Sequence, residues 1–291
     1  ADSAGWVRSA CVVAGAVGAG LAGLTGLGMV SSRVFNVVLG RESFVNEGPG
    51  DWIYWGAVSA VAPLILMLMV LVAGSVLRIA VRLALRLWPW GRRMVDEARR
   101  TVRRLGLDDL ESVAAMSLML SVAIVAGACW LVRGDLVALW RIDPNVATAP
   151  LETLAYLSPG HGDRHTTYRL VFEWATIALV AIWWATFRLA ARRGQGLSPG
   201  AQGGAAAIFL LTLLLLDSPY RLLYQADFDA VEWNNRRCYA LGERADEYLL
   251  FCPELDTPRN RAVRKDTPGL SFVGTKENPF THLSIFPVER P

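Results

Sequence analysis

Five almost continuous apolar runs dominate the chain, at about 9–30, 53–77, 113–132, 169–188 and 204–217, with polar and charged segments between them. Four of the runs approach or exceed the roughly 20 apolar residues a helix needs to cross the hydrocarbon core of a bilayer. The fifth, "GGAAAIFLLTLLLLD", is shorter, and re-entrant or buried helices compete with a crossing at that length. A backbone inside lipid has no water to bond, so each run is expected to be helical. From Ser218 onward the apolar runs shorten and Pro, Gly, Asn and charged residues punctuate them. The pattern predicts a mainly α fold: a polytopic membrane helical bundle of about five spans over 1–217, and a small β-rich extramembrane domain over 218–291.

That last region carries one specific pattern. In "RRCYALGERADEYLLFC" the two cysteines are symmetric about Ala245. An antiparallel hairpin turning through Glu243 to Glu247 sets Cys238 opposite Cys252, Tyr239 opposite Phe251 and Leu241 opposite Leu249. A Cys238–Cys252 disulfide suits such a hairpin, because a domain with little core gains from closing a loop of about fifteen residues, by on the order of 3 kcal/mol. Cys11 and Cys129 fall in or beside spans and read as small buried hydrophobes.

Composition agrees with a membrane protein. Hydrophobic residues make up 53% of the 291 positions, and eleven are tryptophan. The mean hydropathy is +0.34. The first run lacks a small-x-small cleavage site in "GMVSSRVF" and reads as a retained helix. Net charge is only +3, but its distribution is uneven: nine arginines lie between Arg78 and Arg104, against Asp96 and Glu97 alone. By the positive-inside rule that segment, 78–112, is cytoplasmic, as is 189–203 with Arg192 and Arg193. The N-terminus is then cytoplasmic too, while loops 31–52 and 133–168 and the C-terminal domain face outward. This describes a bacterial inner membrane protein with a periplasmic C-terminal domain, an oxidising location in which a disulfide persists. Arg78, Arg82 and Arg86 form one stripe continuing the second span and, with Arg92 and Arg93, are expected to meet anionic lipid headgroups. Aromatic stacking platforms for nucleic acid are absent, so nucleic acid is not an expected partner.

Candidate chemistry is sparse. His161, Asp163 and His165 stand at alternate positions in "SPGHGDRH" and offer two imidazoles and a carboxylate to a metal if that loop curls around it. The competing reading is hydrogen bonding and salt bridging by a turn that Pro159, Gly160 and Gly162 shape. Arg169 and Glu173, four apart at the outer end of the fourth span, are expected to pair within the membrane, and Asp217 with Arg221 at the end of the fifth. Gly15, Gly18, Gly20, Gly23, Gly26 and Gly28 give the first helix a small-residue face for close packing against another helix, in the same chain or in a partner subunit. No nucleophile elbow, phosphate loop, zinc spacing or cofactor motif occurs. The chain is expected to be non-enzymatic and without cofactor, with membrane lipids and other membrane subunits as partners. A channel or transporter, or a membrane enzyme with a loop metal, are the alternatives.

Three stretches, "HGDRHTTYRLVFEWATIALVAIWW", "DSPYRLLY" and "RRCYALGERADEYLLFCPELDTPRNRAV", resemble the multi-span C-terminal membrane region of bacterial receptor-type serine/threonine kinase proteins, over roughly residues 50–285. The resemblance implies an anchoring or sensing module with an external cap. It does not extend to kinase activity, since the glycine-rich loop, catalytic lysine and metal-binding aspartate of a kinase domain are missing from this chain.

Overall fold

The computed structural model describes residues 3–87, 93, 97, 100, 109–142 and 145–285. The chain is mostly helical and ends in an antiparallel sheet. Four helices are long and apolar enough to cross a membrane, and a bent fifth joins them if its two halves count as one span. These are α1 (Ser3–Val38), α2 (Pro49–Leu87), α3 (Leu110–Leu131), α5 (Gly162–Arg193) and α6 (Pro199–Asp217), with the shorter α4 (Arg133–Ile142) and α7 (Tyr220–Tyr224) beside them.

Several limits move from those expected. The first helix runs on past residue 30 to Val38, because Phe35 and Val38 keep a helical apolar face in step across Ser31 and Ser32. The second is bent at Pro63, where the missing N–H and the ring break the hydrogen-bond ladder. The fourth starts at Gly162 rather than 169. "SPGHGD" is therefore a helix entry and not a loop: the Ser158 side chain accepts from Gly160 N at 3.2 Å, and Pro159 opens a helical turn that leads into α5. The fifth begins at Pro199 and, with α7, gives an apolar stretch of 26 residues, which removes its shortness. Arg78, Arg82 and Arg86 continue α2; Arg93 is an exposed helical residue, and Arg92 lies outside the described residues.

The chain divides into two compact units, one joining Ala1–Ala60, Val132–Arg169 and Leu214–Pro291, the other Val61–Leu131 and Leu170–Leu213. In the second, α3, α5 and α6 meet through small and hydroxyl side chains. Ser117 and Thr186 share a hydrogen bond of 2.8 Å, Trp183 Nε1 donates to Ser121 Oγ at 3.1 Å, and Leu118 packs over Gly204. Such contacts hold apolar helices together where burial alone gives no preference over lipid.

The first unit holds the sheet. Strands β1 (Phe228–Trp233), β2 (Arg236–Arg244), β3 (Glu247–Phe251), β4 (Asn260–Arg264) and β5 (Leu270–Glu277) are ordered β4-β3-β2-β1-β5, all antiparallel. Asn234 and Asn235, both at positive φ, make the tight β1–β2 turn. Ala245 takes φ 44° at the β2–β3 turn, a conformation costly for a residue with a Cβ. Ala245→Gly is expected to leave stability unchanged or raise it by up to about 1 kcal/mol in a denaturation midpoint.

The sheet is two-faced. Phe228, Ala230, Tyr239, Leu241, Leu249 and Phe251 enter a core shared with Phe35 and Val38 of α1, with Leu39 just past its end, and with Leu222 and Leu223 of α7. The other face carries Cys238 and Cys252 with Val231, Leu250 and Val263. The sheet therefore completes its core with the ends of apolar helices.

The expected register holds at Tyr239 opposite Phe251 and then shifts by one: Leu249 lies opposite Gly242, not Leu241. Leu241 is the extra residue of a bulge, which keeps it on the same buried face while freeing its backbone for another partner.

The first helix packs through one end of its glycine face. A Cβ added at Gly15, Gly18, Gly20 or Gly23 would meet nothing, whereas one at Gly28 would overlap Trp52 O and one at Gly56 would overlap Leu24 O. Within the chain, then, α1 and α2 approach backbone to backbone at Gly28 and Gly56: of the expected glycine face Gly28 makes the close contact, and Gly15 to Gly26 meet no neighbour among the described residues. Gly56→Leu is expected to cost about 1–3 kcal/mol or more through overpacking. Gly18→Leu should leave the thermal midpoint in detergent unchanged.

Candidate functional site

The freed carbonyl of Leu241 leads to the most strongly charged interior of the first unit. Arg41 follows α1 and donates through Nη1 to Leu241 O at 2.8 Å and through Nε to Asn36 Oδ1 at 2.8 Å. Its Nη2 stands 3.7 Å from Glu47 Oε1. Arg221, from α7, donates through Nη1 to the same Glu47 oxygen at 2.6 Å and to Ser32 Oγ at 3.0 Å. One carboxylate thus serves two guanidinium groups, and all three side chains are about nine-tenths buried. The ring of Phe35 lies between the cations, its centroid 4.7 Å from Arg41 Cζ and 4.5 Å from Arg221 Cζ. Trp55 covers Arg221 at 4.2 Å. Ring faces are negative, so they offset part of the excess positive charge.

Burial, with Arg221 beside it, lowers the Arg41 pKa to about 10, and Glu47 opposes the shift. The second oxygen of Glu47, Oε2, is buried without a hydrogen-bond partner. Beside the cluster is a cleft of about 570 Å³ lined in part by Ser32, Arg33, Asn36, Glu42, Glu47 and Trp52. What the cluster does chemically is fix positions, tying α1, the loop after it, α7 and the bulge of β2 to one point.

The histidine segment builds a second polar cluster. His165 is 2% exposed, and its Nε2 lies 2.6 Å from Tyr156 O. A carbonyl only accepts, so Nε2 carries the proton and is unfit to hold a metal. The His165 and Tyr156 rings meet edge-on at 5.0 Å, and Arg164 lies over the Tyr156 ring at 5.1 Å while pairing with Asp135 at 2.7 Å. Burial and Asp135 raise the Tyr156 pKa. Asp163 is exposed on another side of α5. Alternate residues of a helix point about 200° apart, so Asp163 is turned away from His165, while His161 and His165, four apart, both lie against the Tyr156 ring. Among the described residues no three His, Cys, Asp or Glu side chains gather to hold a metal ion.

Arg169 lays its guanidinium over Tyr220 and Tyr224, at 5.4 and 5.6 Å, and Glu173 is buried one turn further along α5. The expected pairing of Asp217 with Arg221 is replaced: Arg221 takes Glu47, and Asp217 is buried near Ser59. Sequence spacing had no means of ranking Glu47, 174 positions from Arg221, above a carboxylate four positions away. The available signal was weak: Arg41 and Glu47 are charges in a short loop between two apolar runs, where ionisable groups tend to have partners. Cys238 and Cys252 form the expected disulfide, and Cys11 and Cys129 are free.

Comparison of the chain with family models, with curated proteins and with solved structures gave no match.

Proposed function

We propose that this is a non-enzymatic integral membrane protein whose sheet domain serves as the external sensing or anchoring cap of a membrane-embedded module, as in the membrane regions of receptor-type kinase proteins that it resembles. The observation that carries the reading is the single core shared by the sheet and the ends of α1 and α7, pinned by the Arg41–Glu47–Arg221 cluster. A cap built this way is mechanically continuous with its helices, so a load or ligand on the sheet reaches α1 and α7 without crossing a flexible linker. A channel or transporter needs a polar path, and in the first unit Arg41, Glu47 and Arg221 are spent on one another.

Sidedness has two supports. Both segments expected to face outward, 31–52 and 133–168, belong largely to the unit that holds the sheet, and the disulfide calls for an oxidising compartment. In this reading the protein lies in the bacterial inner membrane with the sheet in the periplasm, the basic segment after α2 on anionic lipid, and other membrane subunits around it.

Labelling in intact cells with a membrane-impermeant thiol reagent tests the topology. Asn235→Cys, in the exposed β1–β2 turn, should react, and Arg93→Cys should react only after lysis; the opposite result removes the proposal. Solubilisation of native membranes in mild detergent tests the module itself. A particle well above the 31.8 kDa of the chain is expected, and a lone monomer would defeat the subunit role.

A further inference from the structure

The sheet domain contains a second cleft, of about 520 Å³, whose lining includes Arg237, Tyr239, Glu254, Asp256, Arg259 and His282. That volume is within the range of small-molecule sites, roughly 300–1,000 Å³. Just behind its wall lie donors without acceptors. Arg259 is 7% exposed and gives Nη1 to the carbonyls of Val146 and Ala149, at 3.4 and 2.8 Å. Its Nε has no hydrogen-bond partner, and among the described residues no carboxylate pairs with it. Tyr239 is 1% exposed, and its hydroxyl meets no acceptor. Its neighbour Arg237 is itself a donor, held by Glu277 at 2.5 Å.

An unmet buried donor costs about 1–3 kcal/mol, and more when charged. Two of them in one cleft, one on an unbalanced guanidinium, fit an arriving group with two acceptor atoms and a negative charge. A carboxylate has that form and matches a guanidinium edge. The rim narrows the class. Glu254 and Asp256 are exposed there, and their charges disfavour a phosphate dianion while attracting an ammonium group.

We propose that this cleft binds a small zwitterionic carboxylate of the amino acid class, its carboxylate received by Arg259 and Tyr239 and its ammonium by Glu254 and Asp256. This names a ligand for the sensing cap and rests on that reading for its consequence, though not for the binding itself.

The test is titration calorimetry on the full chain in detergent, with L-alanine, succinate and inorganic phosphate as probes. Saturable binding of L-alanine is expected, with succinate and phosphate weaker. Tyr239→Phe keeps the ring in the core and removes only the hydroxyl, so it should fold as well as the parent and bind L-alanine about tenfold more weakly. Asp256→Asn, at the exposed rim, should weaken L-alanine and not succinate. The proposal is overturned if L-alanine gives no saturable heat, if Tyr239→Phe binds it as the parent does, or if phosphate binds best. A spin-label pair on the ends of α1 and α7 separates the two readings: binding without any change in label distance leaves the cleft standing and removes the sensor.

Discussion

Glu47→Gln is expected to destabilise the protein by about 3–5 kcal/mol, the scale of breaking a buried ion pair by removing one partner. The reason is the charge count. With Glu47 in place, two buried guanidinium groups share one carboxylate, and the aromatic rings of Phe35, Phe228 and Trp55 absorb part of the remainder. Glutamine keeps the shape and one acceptor oxygen but removes the charge, leaving Arg41 and Arg221 to repel each other in a poorly solvated site.

Arg41→Met should cost less than Glu47→Gln, although it removes two hydrogen bonds of 2.8 Å. It leaves a balanced Arg221–Glu47 pair, and it relieves a burial cost visible in the lowered pKa of Arg41. A base whose folded pKa, about 10, lies below its ordinary value is disfavoured by the fold while protonated. That cost is present in full below pH 10 and fades between the two values, so at neutral pH the Arg41 charge by itself weakens the fold. Thermal midpoints of both variants and the double variant in detergent check the order. If Arg41→Met proves the more damaging, the hydrogen bonds to Leu241 O and Asn36 outweigh charge balance, and the cluster acts as a hydrogen-bonded clamp and not as an ion cluster.

The long helices were legible in sequence because continuous apolar runs of that length favour helix, and their number follows from counting the runs. Residue limits were less legible, since the turn signals at "SPGHGD" serve both loops and helix starts, and only the burial of Tyr168 and Phe172 further along the same helix decides between them. The hairpin was legible through the symmetry of Cys238 and Cys252. Its bulge was not, because the reason for an extra residue at Leu241 lies at Arg41, 200 positions earlier. Glu47, Arg221 and the donors of Arg259 and Tyr239 escaped for the same reason. Their chemistry depends on contacts between distant segments, whereas the periodicities that identify helices and strands are local. The glycine face of α1 was legible by its helical spacing, but spacing alone does not say which turn a neighbour crosses, and of Gly15 to Gly28 the crossing is at Gly28.

Cys238→Ala/Cys252→Ala is expected to cost about 3 kcal/mol, from the entropy regained by an unfolded loop whose cysteines are 14 residues apart. The loss should be local. Both cysteines are fully buried in the smaller of the two sheet cores, with Val231, Leu250 and Val263, while the opposite face stays on the helix ends. Hydrogen exchange should therefore rise first in β3 and β4, with α1 little changed. Because the bond is covered, reductant applied to the folded protein should leave it intact, and the same dose near the thermal midpoint should break it. The cell supplies the sharper version of the experiment. When thiols are trapped by a permeant alkylating reagent during lysis, Cys11 and Cys129 should be modified and Cys238 and Cys252 should not. Alkylation of all four in freshly trapped protein would mean that the sheet stands in a reducing compartment, and the outward placement of the cap would have to be reversed.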